Sequence, residues 1–215
     1  FRPYTFDDMY RAYRQQAEAL IEGGVDILLI ETCFDALNVK AALAAVSDCQ
    51  SGREERIPVM VSVSVGDRSG RTLTGQTLEA FYTSVSHYPL LTFGLNCSLG
   101  AAELMPLVEE IGKWCRCGIS CYPNAGLPNE MGGYDQSPEE MAEQIRAMAS
   151  KGIVNIVGGC CGTTPDHIRA IAMSVRDIRL DGRPGAAEPS EMLKVSGLET
   201  VTVDVSRNNF TNVGE

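Results

Sequence analysis

VMVSVSV at residues 59–65 is a short apolar run, rich in β-branched residues and too short for a helix, which is typical of a buried strand. Segments with helical spacing alternate with such runs along the chain, so the elements follow a helix–strand rhythm. Apolar strands joined by helical crossovers require a parallel sheet covered by helices, and the predicted fold class is therefore α/β. The other predicted strands are VDILLI at 25–30, LTFGLN at 91–96, GISCY at 118–122 and IVNIV at 153–157. The predicted helices cover residues 6–22, 36–46, 78–86, 101–114, 138–150 and 165–175.

Capping residues support the predicted helix boundaries. Thr5 and Ser137 each stand shortly before acidic residues at a helix start, and Thr164 stands directly before Pro165. Lys151 followed by glycine is a typical helix stop, because a cation and then a flexible residue suit the last turn.

Polar and reactive residues follow one strand end after another, namely Glu31, Asp67, Cys97, Asn124 and Cys160. In a β/α barrel the carboxyl ends of all strands meet at one mouth, whereas an open sheet spreads them along a line. Five strands are fewer than the eight of a closed barrel. We therefore predict an eight-stranded TIM-type barrel of which this chain supplies about strands 4 to 8. An open five-stranded sheet, complete in itself, is the alternative.

The composition excludes several classes of partner. The 215 residues carry a net charge of −10 and are 44% hydrophobic, so we expect a packed core and neither nucleic acid nor a membrane surface as a partner. No apolar run approaches the roughly 20 residues of a membrane helix, and the first residues lack the apolar core of a signal peptide. We predict a soluble cytoplasmic protein with reduced thiols.

Three cysteines form a candidate metal site. Cys160 and Cys161 lie in GGCCG after the last predicted strand, and Cys97 ends an earlier strand in GLNCS. If the strands share a barrel, three sulfurs converge, and three thiolates suit a zinc ion that keeps one position open for an incoming thiol. A strained disulfide between Cys160 and Cys161 is the alternative. We interpret the other cysteines as ordinary core or edge residues: Cys33, Cys49, Cys115, Cys117 and Cys121.

Four motifs together resemble the homocysteine S-methyltransferase family over about residues 4–180. They are IETCFD at 30–35, GLNC at 94–97, YPNAGLP at 122–128 and GGCCGTTPDHI at 158–168. The resemblance implies an eight-stranded β/α barrel, one zinc ion on Cys97, Cys160 and Cys161, and L-homocysteine as the substrate that the zinc site activates.

The resemblance also implies roles for individual residues. Glu31 matches the acidic residue that holds the amino group of homocysteine, and Thr32 lines the same pocket; a solvated or helix-capping acid is the alternative for Glu31. Asn124 matches a position near zinc whose amide oxygen occupies the fourth site when substrate is absent, although a turn asparagine would look the same. Asn96 is either an orienting neighbour of a ligand or a turn residue. His167 is expected to be a surface or structural residue of a helix, not a ligand.

The end of the chain points to one branch of the family. NFTNVGE at 209–215 resembles the opening of the pterin-binding barrel that follows the homocysteine module in cobalamin-dependent methionine synthases, and PNAGLPN is typical of the same branch. This resemblance implies methylcobalamin on another module as the donor, with folate and cobalamin modules of the same chain as partners. The predicted domains are residues 1–180, the later part of the barrel; 181–200, a linker; and 201–215, the linker end and the start of the pterin module.

The predicted function is zinc-dependent methyl transfer to the thiolate of L-homocysteine, giving L-methionine. One alternative is a stand-alone homocysteine S-methyltransferase that uses betaine or S-methylmethionine. Another, of a different class, is a non-catalytic module that binds zinc or thiols, or an inactive fragment.

Overall fold

The computed structural model describes residues 3–179, 192–207 and 210. Five strands form one parallel sheet in the order of the chain, and two more form an antiparallel hairpin. The sheet strands are β1 Leu28–Cys33, β2 Val59–Val63, β3 Leu90–Gly100, β4 Gly118–Asn124 and β5 Ile156–Val157, and the hairpin strands are β6 Leu193–Ser196 and β7 Thr200–Val203. The helices are α1 Phe6–Glu22, α2 Ala36–Cys49, α3 Leu78–Val85, α4 Ala101–Trp114, α5 Pro138–Ser150 and α6 Pro165–Val175.

The helices all lie on one face of the sheet, because each helix packs against the next one along the chain. Parallel strands in unbroken sequence order, with crossovers of one hand, produce this arrangement and place no switch point in the sheet. The α/β class is therefore confirmed, and the five-stranded parallel sheet is consistent with part of a β/α barrel. Within the described residues β1 and β5 are its two edges, so a closed barrel stays a prediction.

The main core lies between the sheet and the helices. Val61 and Val63 of β2 are fully buried there, and Phe93 of β3 meets an aromatic group from α3 and α4. Ring centroids in that group are 5.2 Å apart for Tyr82 and Phe93 and 5.4 Å apart for Tyr82 and Trp114. Each fully buried apolar side chain contributes roughly 1.5–3 kcal/mol, so this layer holds the sheet to the helices.

The opposite face of the sheet carries small and polar residues. Side chains alternate between the two faces of a strand, so Ser62, Asn96 and Ser120 face away from the helices while their neighbours enter the core. Gly94 faces the same way, and a Cβ at this position would lie 1.9 Å from the carbonyl oxygen of Ser120. Only glycine allows β3 and β4 to approach so closely.

Helix boundaries agree with the sequence more closely than strand boundaries do. α1, α4, α5 and α6 have the predicted bounds, and capping boxes close the starts of α1 and α5. β1 instead begins three residues later than predicted, where Leu28 N–H donates to the carbonyl of Pro58. β5 is reduced to Ile156–Val157. A strand starts where a partner strand is available, and a single sequence does not show that partner.

The hairpin β6–β7 packs against the loop that follows β2. Thr77 N–H donates to the carbonyl of Leu198 at 2.9 Å, and Gln76 Nε2 donates to that of Gly197 at 2.8 Å. Arg71 and Glu199 form an ion pair beside them. β6 lies inside the segment predicted as a linker, residues 181–200. The part of the predicted linker at 181–191 and the tail motif, apart from residue 210, lie outside the described residues. None of the described helices has the length and apolar character needed to cross a membrane.

Candidate metal centre

Three cysteine sulfurs meet at the carboxyl end of the sheet. Cys97 lies in β3, and Cys160 and Cys161 lie in the turn between β5 and α6. The Sγ atoms of Cys97 and Cys161 are 3.6 Å apart, those of Cys160 and Cys161 are 3.9 Å apart, and all three sulfurs lie within 4.8 Å of one another. Cys160 and Cys161 are free thiols, so no disulfide joins them.

The spacing of these sulfurs fits a tetrahedral zinc–thiolate site. Zinc–sulfur bonds of about 2.3 Å put two sulfurs at the corners of a tetrahedron about 3.8 Å apart. The two shorter distances in the cluster lie on either side of this value. In the part of the chain that the structure describes, this is the one group of three His, Cys, Asp or Glu residues close enough to share an ion. Three protein ligands leave a fourth corner open, as in catalytic zinc sites.

The backbone of β3 turns sharply at Cys97 and so places its sulfur in the cluster. Strand alternation would point Cys97 away from the face that Asn96 occupies. Cys97 and Ser98 instead have φ angles of 64° and 62°, in the left-handed region that non-glycine residues seldom adopt. Such residues cost about 1–3 kcal/mol each and persist where the surroundings hold them. Here the hydroxyls of Ser98 and Ser64 share a hydrogen bond of 2.7 Å.

The glycines around Cys160 and Cys161 leave space for packed side chains. Gly162 has a φ angle of 78°, and a Cβ there would lie 2.4 Å from Cβ and Cγ of Tyr134. A Cβ on Gly158 would lie 2.8 Å from the ring of Tyr122. The turn can therefore fit under Tyr134 and beside Tyr122 only without side chains at these two positions.

The end of β4 holds this turn through hydrogen bonds. Cys160 N–H donates to the carbonyl of Pro123 at 2.8 Å, and Cys161 N–H donates to Oδ1 of Asn124 at 3.0 Å. Ala125 N–H returns a bond to the carbonyl of Cys161 at 2.9 Å. Asn124 is 2% exposed, so the structure brings this predicted site residue next to a predicted ligand.

The model of the homocysteine S-methyltransferase family matches residues 1–175 of the chain. The chain belongs to this family. Among solved structures it resembles the homocysteine methyltransferase MmuM from Escherichia coli in its apo form, with a TM-score of 0.61 and 21% sequence identity. The match covers 80% of this chain and 58% of that one, so the chain spans little more than half the length of that structure. At this identity the likeness shows a shared fold.

Two further residues that the family resemblance selected, Glu31 and Thr32, lie near the carboxyl end of β1. Thr32 has a φ angle of 58°, and its N–H and hydroxyl both bond the side chain of Asn96. Glu31, immediately before it, is exposed on the face of the sheet that also carries Tyr122. Burial raises the pKa of Tyr122, and the nearby charge of Glu31 raises it further.

The thiol of Cys160 is partly buried among these groups. Burial raises its pKa to about 11 in the metal-free protein, and the hydrogen bond from Asn96 acts in the opposite direction. His167 is buried on α6, where Nδ1 accepts from Thr164 N–H at 3.2 Å and Nε2 bonds the carbonyl of Gln136 at 2.9 Å. His167 is thus a structural residue that joins the start of α6 to the loop after β4.

Sequence reasoning missed two residues that lie next to the candidate metal centre or its neighbours. Tyr134 lies over Gly162; burial raises its pKa, and the neighbouring Cys161 thiol raises it further. No local pattern marks Tyr134, because its position depends on how the loop after β4 folds back. Ser62 contacts Asn96 on the polar face of the sheet. The alternation of serine with valine in VMVSVSV is a signal that could have revealed it.

Proposed function

We propose that this chain is the homocysteine-activating part of an enzyme that transfers a methyl group to L-homocysteine and forms L-methionine. The observation that carries this proposal is the cluster of three free thiols, spaced as for zinc, in a member of the homocysteine S-methyltransferase family. In the reaction a sulfur–carbon bond forms, the bond between methyl and donor breaks, and the thiol proton leaves to solvent.

Cys97, Cys160 and Cys161 would hold the zinc ion, with the fourth corner left for the substrate sulfur. Bound zinc supplies Lewis acidity that lowers the pKa of a coordinated thiol, so that the substrate is present as thiolate. The three cysteine thiolates bring negative charge to the site, which keeps a neighbouring sulfur electron-rich and able to attack carbon.

Glu31, Thr32 and Asn124 would bind and position the rest of the substrate. A carboxylate at the mouth of the sheet forms a charge-assisted pair with the ammonium of an amino acid, and this is the role proposed for Glu31. Thr32 would line the same pocket. Asn124 orients Cys161 through its amide oxygen, and a carbonyl oxygen has a second lone pair that can occupy the open corner in the absence of substrate.

The donor that we propose is methylcobalamin, carried with a folate module elsewhere in the same full-length protein. PNAGLPN, which runs from the end of β4 into the next loop, supports this branch of the family, as does NFTNVGE at 209–215. We further propose that strands outside this chain close an eight-stranded barrel, which the unbroken strand order and one-sided helices support. Free cysteines suit the reducing cytoplasm.

Metal analysis and turnover of the full-length protein test this proposal. We expect one zinc per chain, a homocysteine-dependent change in zinc X-ray absorption, and methionine formation with methylcobalamin but not with betaine or S-methylmethionine. Cys160→Ser and Cys97→Ser should abolish zinc retention, whereas Cys49→Ser, a control away from the cluster, should retain zinc. Stoichiometric zinc in Cys160→Ser would refute the ligand set. Homocysteine binding without turnover under saturating donor would instead indicate a non-catalytic module.

A further inference from the structure

The side-chain amide of Asn96 connects three strands beneath the sulfur cluster. Asn96 is 1% exposed, on the polar face of β3. Its Oδ1 accepts from Thr32 N–H at 3.1 Å and from the Ser62 hydroxyl at 2.7 Å. Its Nδ2 donates to Thr32 Oγ1 at 2.8 Å and to Cys160 Sγ at 3.8 Å. One buried side chain thus contacts β1, β2 and a proposed metal ligand.

The orientation of this amide is fixed by its partners. A backbone N–H can only donate, so the atom that faces Thr32 N–H must be the carbonyl oxygen of Asn96. The NH₂ group must therefore point the other way, where its two hydrogens reach Thr32 Oγ1 and Cys160 Sγ. Every donor and acceptor of the amide is then used. A flipped amide would set NH₂ against the Thr32 N–H, and this contact between two donors is repulsive.

We propose that Asn96 is a positioning residue that couples the two ends of the substrate site. This inference deepens the proposed function and rests on it, because it takes Cys160 as a ligand and Thr32 as part of the amino-acid pocket. At one end the amide holds Thr32 in its left-handed conformation, which sets the direction of the turn after Glu31. At the other end it donates to Cys160, and a hydrogen bond to a thiolate is charge-assisted and directional.

Asn96→Asp separates the sulfur contact from the rest of the network. Both carboxylate oxygens accept, so the bonds from Thr32 N–H and Ser62 persist, and the Thr32 hydroxyl can rotate to donate. The contact with Cys160 changes from a donated hydrogen to an oxygen that faces sulfur, and the carboxylate also brings a negative charge next to the cluster. Ser62→Ala is the second variant, since it leaves every partner of Nδ2 in place and removes one anchor of the amide. Ser120→Ala is the matched control, because Ser120 is a fully buried serine of β4 on the same face of the sheet as Ser62.

The test measures metal binding in the full-length protein by two readouts that do not depend on activity. These are zinc affinity by competition with a chromophoric chelator and the thiolate-to-metal charge-transfer absorption of the cobalt(II) form. We expect Asn96→Asp to weaken zinc binding about 10–100-fold and to shift the cobalt band, as loss of an outer partner of a metal ligand does. Ser62→Ala should shift both readouts in the same direction by less, and Ser120→Ala should change neither.

Separate effects on kcat and on KM for homocysteine test whether Asn96 also acts at the Thr32 end of the site. Asn96→Asp should lower kcat through the sulfur contact, whereas Thr32→Val, which removes the acceptor at the other end, should mainly raise KM for homocysteine and shift the cobalt band no more than Ser62→Ala does. Folded Asn96→Asp and Ser62→Ala proteins with wild-type zinc affinity and cobalt spectrum would overturn the inference. If Asn96→Asp does not fold, Ser62→Ala decides. A wild-type protein that binds no zinc would overturn the proposed function itself, so the two failures are distinguishable.

Discussion

At the scale of single residues, the turn that carries two of the cysteines depends on Gly162. Its φ angle of 78° suits glycine, and a Cβ there would come within 2.4 Å of Tyr134. Two separate penalties therefore act against a side chain at this position. One is the left-handed backbone, at roughly 1–2 kcal/mol, and the other is the overlap with the tyrosine, at roughly 1–3 kcal/mol.

Gly162→Ala should lower the free energy of unfolding by about 2–5 kcal/mol and weaken zinc binding, because Tyr134 must move off the turn. Denaturant unfolding and chelator competition measure the two effects. Gly52→Ala is the matched control, since Gly52 has a φ angle of 81° and no atom within 4 Å of the added Cβ. The control should show the backbone penalty alone, with unchanged zinc affinity. Equal losses in both variants would contradict the role given to Tyr134.

At the scale of elements, the sequence predicts the bounds of the helices more accurately than those of the strands. Thr5 and Ser137 form capping boxes, in which the residue three positions later bonds back, and these local signals predicted the starts of α1 and α5. β3 by contrast runs on to Gly100, four residues past its predicted end, because pairing with β4 resumes after the left-handed turn at Cys97. Such pairing is a long-range property that no local pattern contains.

The candidate site divides in the same way. Convergence of Cys97 with Cys160 and Cys161 follows from the order of strand ends, and sequence alone predicted it. The orientation of Asn96 and the approach of Tyr134 do not follow, because each depends on side chains from other elements. The sequence therefore indicated the candidate ligands, whereas tertiary packing determines what surrounds them.

An ion pair joins α5 to the segment after α6. Arg146 Nη1 and Nη2 bond the two carboxylate oxygens of Asp177 at 2.7 and 2.9 Å, and Arg146 also bonds the carbonyl of Ser174. The hydrogen bonds from Arg146 lower the pKa of Asp177 from 3.8 to about 2. A folded-state pKa below the unfolded value means that the pair stabilises the protein above about pH 4, and that this stabilisation is lost as the pH falls toward 2.

Asp177→Asn should therefore shift the urea midpoint by an amount that depends on pH. The difference between wild type and variant should stay constant from pH 7 to 5 and should shrink as the pH falls from 4 toward 3, because the unfolded carboxylate takes up its proton first. Arg146→Gln removes the same pair from the other side and serves as the control. Its urea midpoint should differ from that of the wild type in the same pH-dependent way. For either variant, a difference from the wild type that grows as the pH falls would disprove the role given to this ion pair.

At the scale of the whole molecule, helices cover one face of the sheet. The other face carries small and polar residues that connect to the sulfur cluster. In an open sheet the part of that face on β1, with the outer edge of β1, meets solvent, whereas in a closed barrel it becomes part of the interior. The exposed fraction of Leu29, 40%, on the same face of β1 favours the second arrangement, since an apolar side chain is suited to packing there. The two arrangements differ most at the backbone of β1.

Hydrogen exchange at β1 distinguishes a closed barrel from an open sheet. Leu28 N–H bonds the segment before β2, and successive N–H groups point to opposite sides of a strand, so the N–H groups of Leu29 and Glu31 both point toward the outer edge of β1. In the 215-residue chain the Leu29 amide should exchange rapidly, and in the full-length protein it should be protected at least tenfold by a neighbouring strand. Phe93 of the central strand β3 should be protected in both and serves as the internal control. Rapid exchange at Leu29 in the full-length protein, with Phe93 protected, would mean that no strand pairs with β1 and that the barrel does not close on this side.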